Sequence, residues 1–177
     1  MKSFFKILFF LFIIKNTMAQ DITNTVYLEL KDGKVVIEMK PDHAPEHVKR
    51  IKELISEKFY DGLKFHRVID GFMAQTGDPK GNGTGGSGQN IPAEFNSLPH
   101  IRGTVSMARA QDPDSADSQF FICFQESSFL DGQYTAWGQV IEGMEFVDKI
   151  KRGSGSNGMV NDPDKIISMK LAKEVKE

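Results

Sequence analysis

Eight short apolar runs separated by turn residues constrain this chain most strongly. The first two, TVYLEL at 25–30 and KVVIEM at 34–39, flank Lys31-Asp32-Gly33, and an Asp-Gly step between such runs is typical of a β-hairpin. The later runs are FHRVI, GFMAQ, GTVSMAR, QFFICF, TAWGQV and KIISMKLA. Many short strands with few helices predict a mainly β domain, either a closed barrel or a sandwich.

Two stretches carry helical periodicity instead. One lies within residues 41–59 and tolerates Pro45, because proline is accepted in the first turn of a helix. The other spans residues 143–151 and precedes the turn-forming GSGSNG. The apolar residues at helical spacing are Val48, Ile51, Leu54 and Ile55 in the first stretch and Met144, Val147 and Ile150 in the second. Both stretches therefore predict amphipathic helices that lie on the β structure.

The first nineteen residues have the pattern of a secretory signal peptide. Lys2 and Lys6 precede an unbroken apolar run at 7–14, and small residues end at Ala19. A membrane anchor is the competing reading, but the run is less than half of the roughly 20 residues that a spanning helix needs. We expect export with cleavage after Ala19, which leaves residues 20–177 as one domain in the periplasm or outside the cell.

Composition narrows the class of partner. The chain has 177 residues, is 40% hydrophobic and contains 14 phenylalanines, enough for one compact core. Loss of residues 1–19 removes three lysines and no acids, so the formal charge moves from −2 to −5. A mildly acidic chain without a basic run is a poor nucleic-acid binder, and we expect none. We expect the mature protein to be a monomer.

Several motifs predict no chemistry. GNGTGGSG at 81–88 lacks both the following helix start and the Gly-Lys-Ser/Thr of a phosphate-binding loop, which favours a flexible loop beside a site. His43 and His47 have metal-ligand spacing but no third ligand, so we expect no metal and no cofactor. The lone Cys123 lies within FFICF and is expected to be a small buried hydrophobe. His66 and His100 are expected to be satisfied structural residues. No nucleophile motif surrounds the serines Ser106, Ser115 and Ser118.

The stretch FHRVIDGFMAQTGD at 65–78 closely resembles the signature of cyclophilins, the cyclosporin-binding family of peptidyl-prolyl cis-trans isomerases. GNGTGGSG, RGTVSMARA at 102–110, SQFFICF at 118–124 and FLDGQYTAWGQVIEGMEFVDKI at 129–150 follow in the family's order. The resemblance covers the chain from about Tyr27 to Leu171. It implies an eight-stranded antiparallel closed β-barrel capped by two α-helices, and an isomerase of X–Pro bonds in peptides and in unfolded or newly exported proteins.

The resemblance also implies roles for individual residues. Arg67 matches the catalytic arginine of the family. The pocket for the substrate proline corresponds to Phe72, Met73, Phe121, Leu130 and Phe129, and the groups that bind the substrate backbone correspond to Gln75, Gln119, Ala108, Arg109, Gly83 and Tyr134.

Three of these positions depart from the eukaryotic pattern, and the segments SMARA at 106–110 and DSADSQFF at 114–121 resemble bacterial members instead. Arg109 replaces an asparagine, Phe129 a tryptophan that donates a hydrogen bond to cyclosporin, and Tyr134 a histidine. Since the Phe129 side chain has no indole N–H to donate, we expect cyclosporin to bind weakly.

An arginine suits this reaction because X–Pro rotation breaks no bond. The nitrogen lone pair is delocalised in the planar ground state and becomes a hydrogen-bond acceptor only in the twisted transition state. A guanidinium stays protonated and presents fixed donors to it.

The alternative for Arg67 is a partly buried ion pair with Asp70 or Asp78. At the level of function, the alternatives are a binding protein that holds proline segments without turnover and, more weakly, a small-molecule carrier, whose eight-stranded barrel would be filled by side chains.

Overall fold

The computed structural model describes residues 22–175, and it begins with the predicted hairpin. Strand β1 (Thr25–Leu30) pairs antiparallel with β2 (Gly33–Met39), in a register that places Leu30 opposite Gly33. The predicted signal peptide at 1–19 lies outside the described residues.

Six further strands complete one sheet, and each coincides with one of the predicted apolar runs. They pair antiparallel throughout, in the spatial order β3-β4-β6-β5-β7-β2-β1-β8. Their bounds are β3 (Arg67–Ile69), β4 (Met73–Thr76), β5 (Thr104–Met107), β6 (Phe120–Cys123), β7 (Ala136–Glu142) and β8 (Ser168–Leu171). The mainly β, antiparallel prediction is confirmed.

The predicted closure of the barrel is wrong: the sheet is an open half-barrel whose edges are β3 and β8. Segments beside these strands approach each other, and one isolated bridge joins Lys64 to Lys165. Strands β3 and β8 do not pair, because the outer edge of β3 is occupied: Val68 exchanges backbone hydrogen bonds with Gly153 and Gly158.

Two α-helices accompany the sheet, as predicted. Helix α1 (Pro45–Ser56) buries all four of the predicted apolar residues. Ala44 provides no side-chain cap at its start. The Glu94 carboxylate accepts the amide hydrogens of Glu46 and His47 instead, at 3.1 and 2.9 Å. A carboxylate from a distant loop thus satisfies two of the amides that every helix start leaves free.

The second helix, α2 (Met144–Val147), is shorter than the predicted stretch 143–151. After Val147 the chain makes tighter turns, in which the amide of Ile150 donates to the Val147 carbonyl at 3.1 Å. The Arg152 guanidinium then donates hydrogen bonds to the carbonyls of Asp148 and Ile150. These contacts end the helix while Ile150 remains buried. Short 3-10 turns occur at Pro113–Ser115, Ser128–Leu130 and Ala172–Glu174.

The main core fills the concave side of the sheet. Its largest fully buried side chains are Trp137, Tyr60, Phe65 and Phe120. Within residues 22–175, no helix combines the length and apolarity needed to cross a bilayer.

Candidate active site

A depression of about 550 Å³ opens beside β3, β4 and β6, on the side of the sheet away from the main core. Nearly all of the site residues implied by the resemblance surround it. It is lined by His66, Arg67, Phe72, Met73, Gln75, Asn82, Gly83, Ala108, Arg109, Phe121, Phe129, Leu130, Gln133, Tyr134 and Met159. Gln119 does not line it and instead contacts the lining residue Gln75.

The floor of the depression is apolar. Met73, Phe121 and Leu130 form a small cluster with Cys123, which is fully buried as predicted. Burial, together with the nearby Asp131 charge, raises the pKa of the Cys123 thiol from 9.0 to about 12. A thiol that stays protonated and covered is not a nucleophile at neutral pH. The cluster can hold an apolar ring but offers no covalent chemistry.

The rim is aromatic and more exposed. The rings of Phe72 and Phe129 lie 5.4 Å apart, and Phe129 is 64% exposed. Tyr134 meets Phe121 edge to face at 6.0 Å. An exposed aromatic side chain at the mouth of an apolar depression is suited to covering part of a ligand that enters it.

Arg67 is half-buried at one wall of the depression, where β3 pairs with β4 and places Gln75 opposite it. Its Nε donates to the Asn157 carbonyl at 2.9 Å, and its Nη1 donates to Gln75 Oε1 at 3.1 Å. Among the described residues, no group accepts a hydrogen bond from Nη2. The guanidinium is therefore anchored on two sides and keeps donors for a ligand.

The ion-pair alternative for Arg67 is wrong within residues 22–175. Asp70 pairs with Arg152 at 3.0 Å. Asp78 is buried and accepts the amide hydrogens of Lys80, Asn82 and Gly83. Both carboxylates are thus engaged elsewhere, and Arg67 has no acidic partner in the part of the chain that the structure describes.

A chain of amide groups extends from Arg67 to the glycine-rich loop. Gln75 Nε2 donates to Gln119 Oε1 at 2.9 Å. Gln119 Nε2 then donates to the carbonyls of Gly83 and Gly85, at 3.2 and 2.8 Å. Because each glutamine uses its oxygen for one neighbour and its nitrogen for the next, the chain fixes the orientation of both amides.

The glycine-rich loop at 81–88 borders the site as predicted, but it is more firmly anchored than a flexible loop. Asp117 accepts the amide hydrogens of Ser87 and Gly88, and Asp78 holds the other end of the loop. A Cβ at Gly85 or Gly86 would overlap these two carboxylates. Glycine is needed at both positions so that the backbone can pack directly against the carboxylates of Asp78 and Asp117.

Arg109 closes the opposite wall by lying over Tyr134, with its guanidinium carbon 4.6 Å from the ring centroid. Its Nη2 donates to the Gln133 carbonyl at 2.9 Å, and its Nη1 to the Ala110 carbonyl at 2.9 Å. Arg109, Ala108, Gly83 and Gln75 also line a second depression of about 380 Å³. Because the two depressions share these lining residues, they adjoin and form one groove.

Sequence reasoning missed His66, Asn82, Gln133 and Met159 as lining residues. His66 is 1% exposed, and neither of its ring nitrogens has a hydrogen-bond partner among the described residues, so the expectation of a satisfied histidine is wrong. Burial lowers its pKa below 6.5, against the opposing influence of Asp78 and the nearby Lys64 carbonyl. The only sequence feature that could have indicated His66 as a lining residue is its position next to Arg67.

The two histidines with metal-ligand spacing lie in different environments. His47 is fully buried and its Nδ1 lies 2.6 Å from Glu94 Oε2, whereas His43 is exposed. Within residues 22–175, no group of three or more histidine, cysteine or acidic side chains could hold a metal ion.

Known proteins share this architecture and sequence. The family model described as cyclophilin type peptidyl-prolyl cis-trans isomerase/CLD matches residues 25–171. A probable peptidyl-prolyl cis-trans isomerase of Brucella suis is 53% identical over 176 residues, covering 92% of this chain and 90% of that protein. Peptidyl-prolyl cis-trans isomerase B of Bacillus subtilis is 44% identical, covering 73% and 92%.

Solved structures of cyclophilins have a fold similar to that of this chain. A cyclophilin from Hirschia baltica is 29% identical with a TM-score of 0.79, covering 88% of this chain and 76% of that one. A Cryptosporidium parvum cyclophilin-type isomerase, solved in the presence of the dipeptide Ala-Pro, is 29% identical with a TM-score of 0.77, covering 83% and 98%. The chain belongs to the cyclophilin-type peptidyl-prolyl cis-trans isomerases, and its activity is the rotation of X–Pro peptide bonds.

Proposed function

We propose that Arg67 is the catalytic group of this isomerase and that its substrates are proline-containing segments of unfolded, newly exported proteins. The observation that carries the first part is the hydrogen bonding of Arg67. Two fixed acceptors, the Asn157 carbonyl and Gln75, orient the guanidinium, while among residues 22–175 nothing accepts from Nη2 and no carboxylate pairs with the charge.

The reaction needs only such a donor beside an apolar pocket. Rotation of an X–Pro bond has a barrier of roughly 20 kcal/mol, because the planar amide is stabilised by delocalisation of the nitrogen lone pair. When the bond is twisted, the lone pair localises and can accept a hydrogen bond from Arg67. A donor that gains its partner only in the transition state lowers the barrier, and about 1.4 kcal/mol gives a tenfold rate.

The apolar floor supplies the second requirement. A proline ring over Met73, Phe121 and Leu130 would be fixed while the preceding residue turns. The same burial removes water, which strengthens the hydrogen bond from the charged donor. The amide chain of Gln75 and Gln119 would hold the substrate backbone, with the backbone at Ala108 and Arg109 and the flanking Gly83 and Tyr134 along the groove.

The test separates catalysis from binding. Two-dimensional exchange NMR on an Ala-Ala-Pro-Phe peptide gives the isomerisation rate at saturation, and a titration gives the dissociation constant, Kd. We expect Arg67→Ala to lower the rate about 10²-fold to 10³-fold, in line with the loss of one preorganised transition-state donor, while Kd changes much less. Arg67→Lys should recover little of this, because an ammonium lacks the fixed planar donors.

The matched control is Arg102→Ala. Arg102 forms an ion pair with Asp148 and does not line the depression. Equal rates for native protein and Arg67→Ala would overturn the catalytic assignment. A native protein that binds the peptide and does not accelerate exchange would instead be a holding protein without turnover.

The second part of the proposal, that the substrates are newly exported proteins, rests on the signal-peptide pattern of residues 1–19. Slow X–Pro isomerisation limits the folding of many newly translocated chains, so an isomerase is useful on the far side of the membrane. Sequencing the amino terminus of the protein recovered from the periplasm or medium should give Gln20 as the first residue. Recovery of intact residues 1–19 in the cytoplasm would contradict it.

Cyclosporin should bind weakly to this isomerase. Phe129 stands at the exposed rim, and its side chain has no N–H to donate. Inhibition assays should show Phe129→Trp to be several-fold more sensitive, the gain expected from about one new hydrogen bond. Unchanged inhibition in that variant would remove Phe129 as the cause.

A further inference from the structure

His100 lies directly behind the apolar floor of the site without touching the depression. It is 1% exposed, and its ring stacks on that of Phe121 with centroids 6.2 Å apart and planes inclined by 20°. It is absent from the residues that line the depression. Phe121 therefore lines the pocket while its ring stacks on a buried imidazole that does not.

Hydrogen bonds fix the orientation of this imidazole. Its Nδ1 lies 2.8 Å from Asp131 Oδ1, and its Nε2 lies 2.9 Å from Ser106 Oγ. Because a carboxylate can only accept, we assign the hydrogen to Nδ1, and the Ser106 hydroxyl then donates to Nε2. Contacts on both ring nitrogens hold the ring plane parallel to Phe121.

The same residue also ties down the turn that carries Leu130. The His100 amide donates to Asp131 Oδ1 at 2.8 Å, and the Ser127 amide donates to the His100 carbonyl at 2.7 Å. Ser127 and Asp131 flank the 3-10 turn Ser128–Leu130. One residue thus anchors both ends of the turn that supplies the pocket with Leu130 and its rim with Phe129.

A hydrolytic reading of Ser106, His100 and Asp131 does not fit. Ser106 is fully buried on β5 and lines neither depression of the groove, so no substrate can reach its hydroxyl. A nucleophile must contact the reacting carbonyl. The three side chains support the neighbouring pocket instead.

We propose that His100, held by Asp131 and Ser106, is a positioning residue of the isomerase, which preforms the proline pocket by fixing Phe121 and the 127–131 turn. The inference rests on the proposed use of this pocket for the substrate proline. A pocket that is already ordered costs less to occupy, so losing the support weakens binding of the proline in ground and transition states alike. Substitution should therefore raise Kd, whereas loss of Arg67 lowers the rate at saturation.

The sharpest variant is Asp131→Ala, because the Asp131 side chain is 41% exposed and its loss leaves little buried space. We expect its Kd for the Ala-Ala-Pro-Phe peptide to rise roughly fivefold to twentyfold, with the rate at saturation within about threefold of native. Asp131→Asn retains an oxygen that accepts both N–H groups and should restore Kd to within about twofold. His100→Phe keeps the stack but loses the side-chain hydrogen bonds, and its Kd should fall between native and Asp131→Ala.

The matched control is His47→Gln. His47 is another buried histidine that contacts a partly exposed carboxylate, but it lies on α1 and does not line the depression. It should lower the melting temperature, Tm, without changing Kd, when all variants are measured well below their Tm.

Three results would overturn the positioning role: native Kd in both Asp131→Ala and His100→Phe, a fall in rate without a change in Kd, or an equal rise in Kd for His47→Gln. A native protein that binds the peptide without turnover would instead refute the proposed catalysis, and the Kd series would still test the positioning role.

Discussion

Phe120 and Phe121 are adjacent in strand β6, yet they belong to different parts of the molecule. Phe120 points into the main core, is fully buried and meets Tyr60 and Trp137 edge to face at 5.5 and 5.6 Å. Phe121 points to the other side of the sheet, is 5% exposed and rests on His100. Strand alternation, which sends successive side chains to opposite faces, separates them.

The two faces differ in how their rings are held. On the core face, apolar side chains surround the ring, so its contacts serve stability alone. On the pocket face, Phe121 packs within the small apolar cluster and stacks on His100, while the part of its ring that lines the groove stays available to a ligand. The pocket face thus offers a preformed surface to an apolar ligand. We expect substitutions on the core face to lower mainly the free energy of unfolding, and substitutions on the pocket face to weaken mainly ligand binding.

Phe120→Ala should produce the largest loss of stability. Removal of a fully buried phenylalanine leaves a cavity and lowers the free energy of unfolding by about 3–5 kcal/mol. Urea denaturation followed by far-UV circular dichroism measures it. Phe120→Leu, which fills most of the space, should lose clearly less. A loss under about 1 kcal/mol for Phe120→Ala would show that the core face is not packed as described.

Phe121→Ala should lose less stability and more binding. Because Phe121 is 5% exposed and only part of its ring lines the groove, we expect about 2–3 kcal/mol of destabilisation, at the lower end of the range for buried phenylalanines. The Kd for the Ala-Ala-Pro-Phe peptide should rise about tenfold or more, since the proline ring loses its main apolar contact. A stability loss equal to that of Phe120→Ala with an unchanged Kd would abolish the contrast between the faces.

The strands could be predicted from sequence because their signals are local. Each apolar run carries its own alternation and its own turn residues, and alternation along β6 accounts for the place of Phe120 and Ile122 in the core. Closure of the barrel could not be predicted in this way. It depends on whether β3 and β8 meet, and these strands lie about a hundred residues apart in the sequence.

The site shows the same limit. Resemblance to a family supplied Arg67 and the pocket residues, and the structure gathers them around one groove, while their individual roles remain proposals. The partners of Arg67 could not be read from the sequence, because Asn157 lies 90 residues away. The support behind Phe121 was missed for a related reason: Asp131 and His100 are 31 residues apart and meet only through the folded turn.

Alkaline pH offers a smaller and more selective test of the two faces. Burial, aided by Asp131, raises the pKa of Cys123 on the pocket face from 9.0 to about 12. Since the folded pKa exceeds the unfolded one, this contribution to stability is complete below pH 9 and is lost as the pH rises towards 12. The native protein should therefore lose about 1 kcal/mol more than Cys123→Ala between roughly pH 8 and 10. Parallel urea-derived stability curves for the two proteins would contradict this.

Tyr60 on the core face should respond only at higher pH. Complete burial, with the Asp117 charge adding to it and Arg50 opposing it, raises its pKa above the ordinary 10.0. Its contribution is therefore intact up to about pH 10 and is lost only beyond it, because only the unfolded chain can then release the phenolic proton. Tyr60→Phe gives up the hydrogen bond to the Ser118 carbonyl, so it should be less stable at neutral pH, and its free energy of unfolding should depend less on pH above pH 10.

The double variant Tyr60→Phe with Cys123→Ala should show both changes additively, because the two side chains belong to separate clusters on opposite faces of the sheet. Strong non-additivity in urea-derived free energies would mean that the faces are coupled through β6 rather than independent.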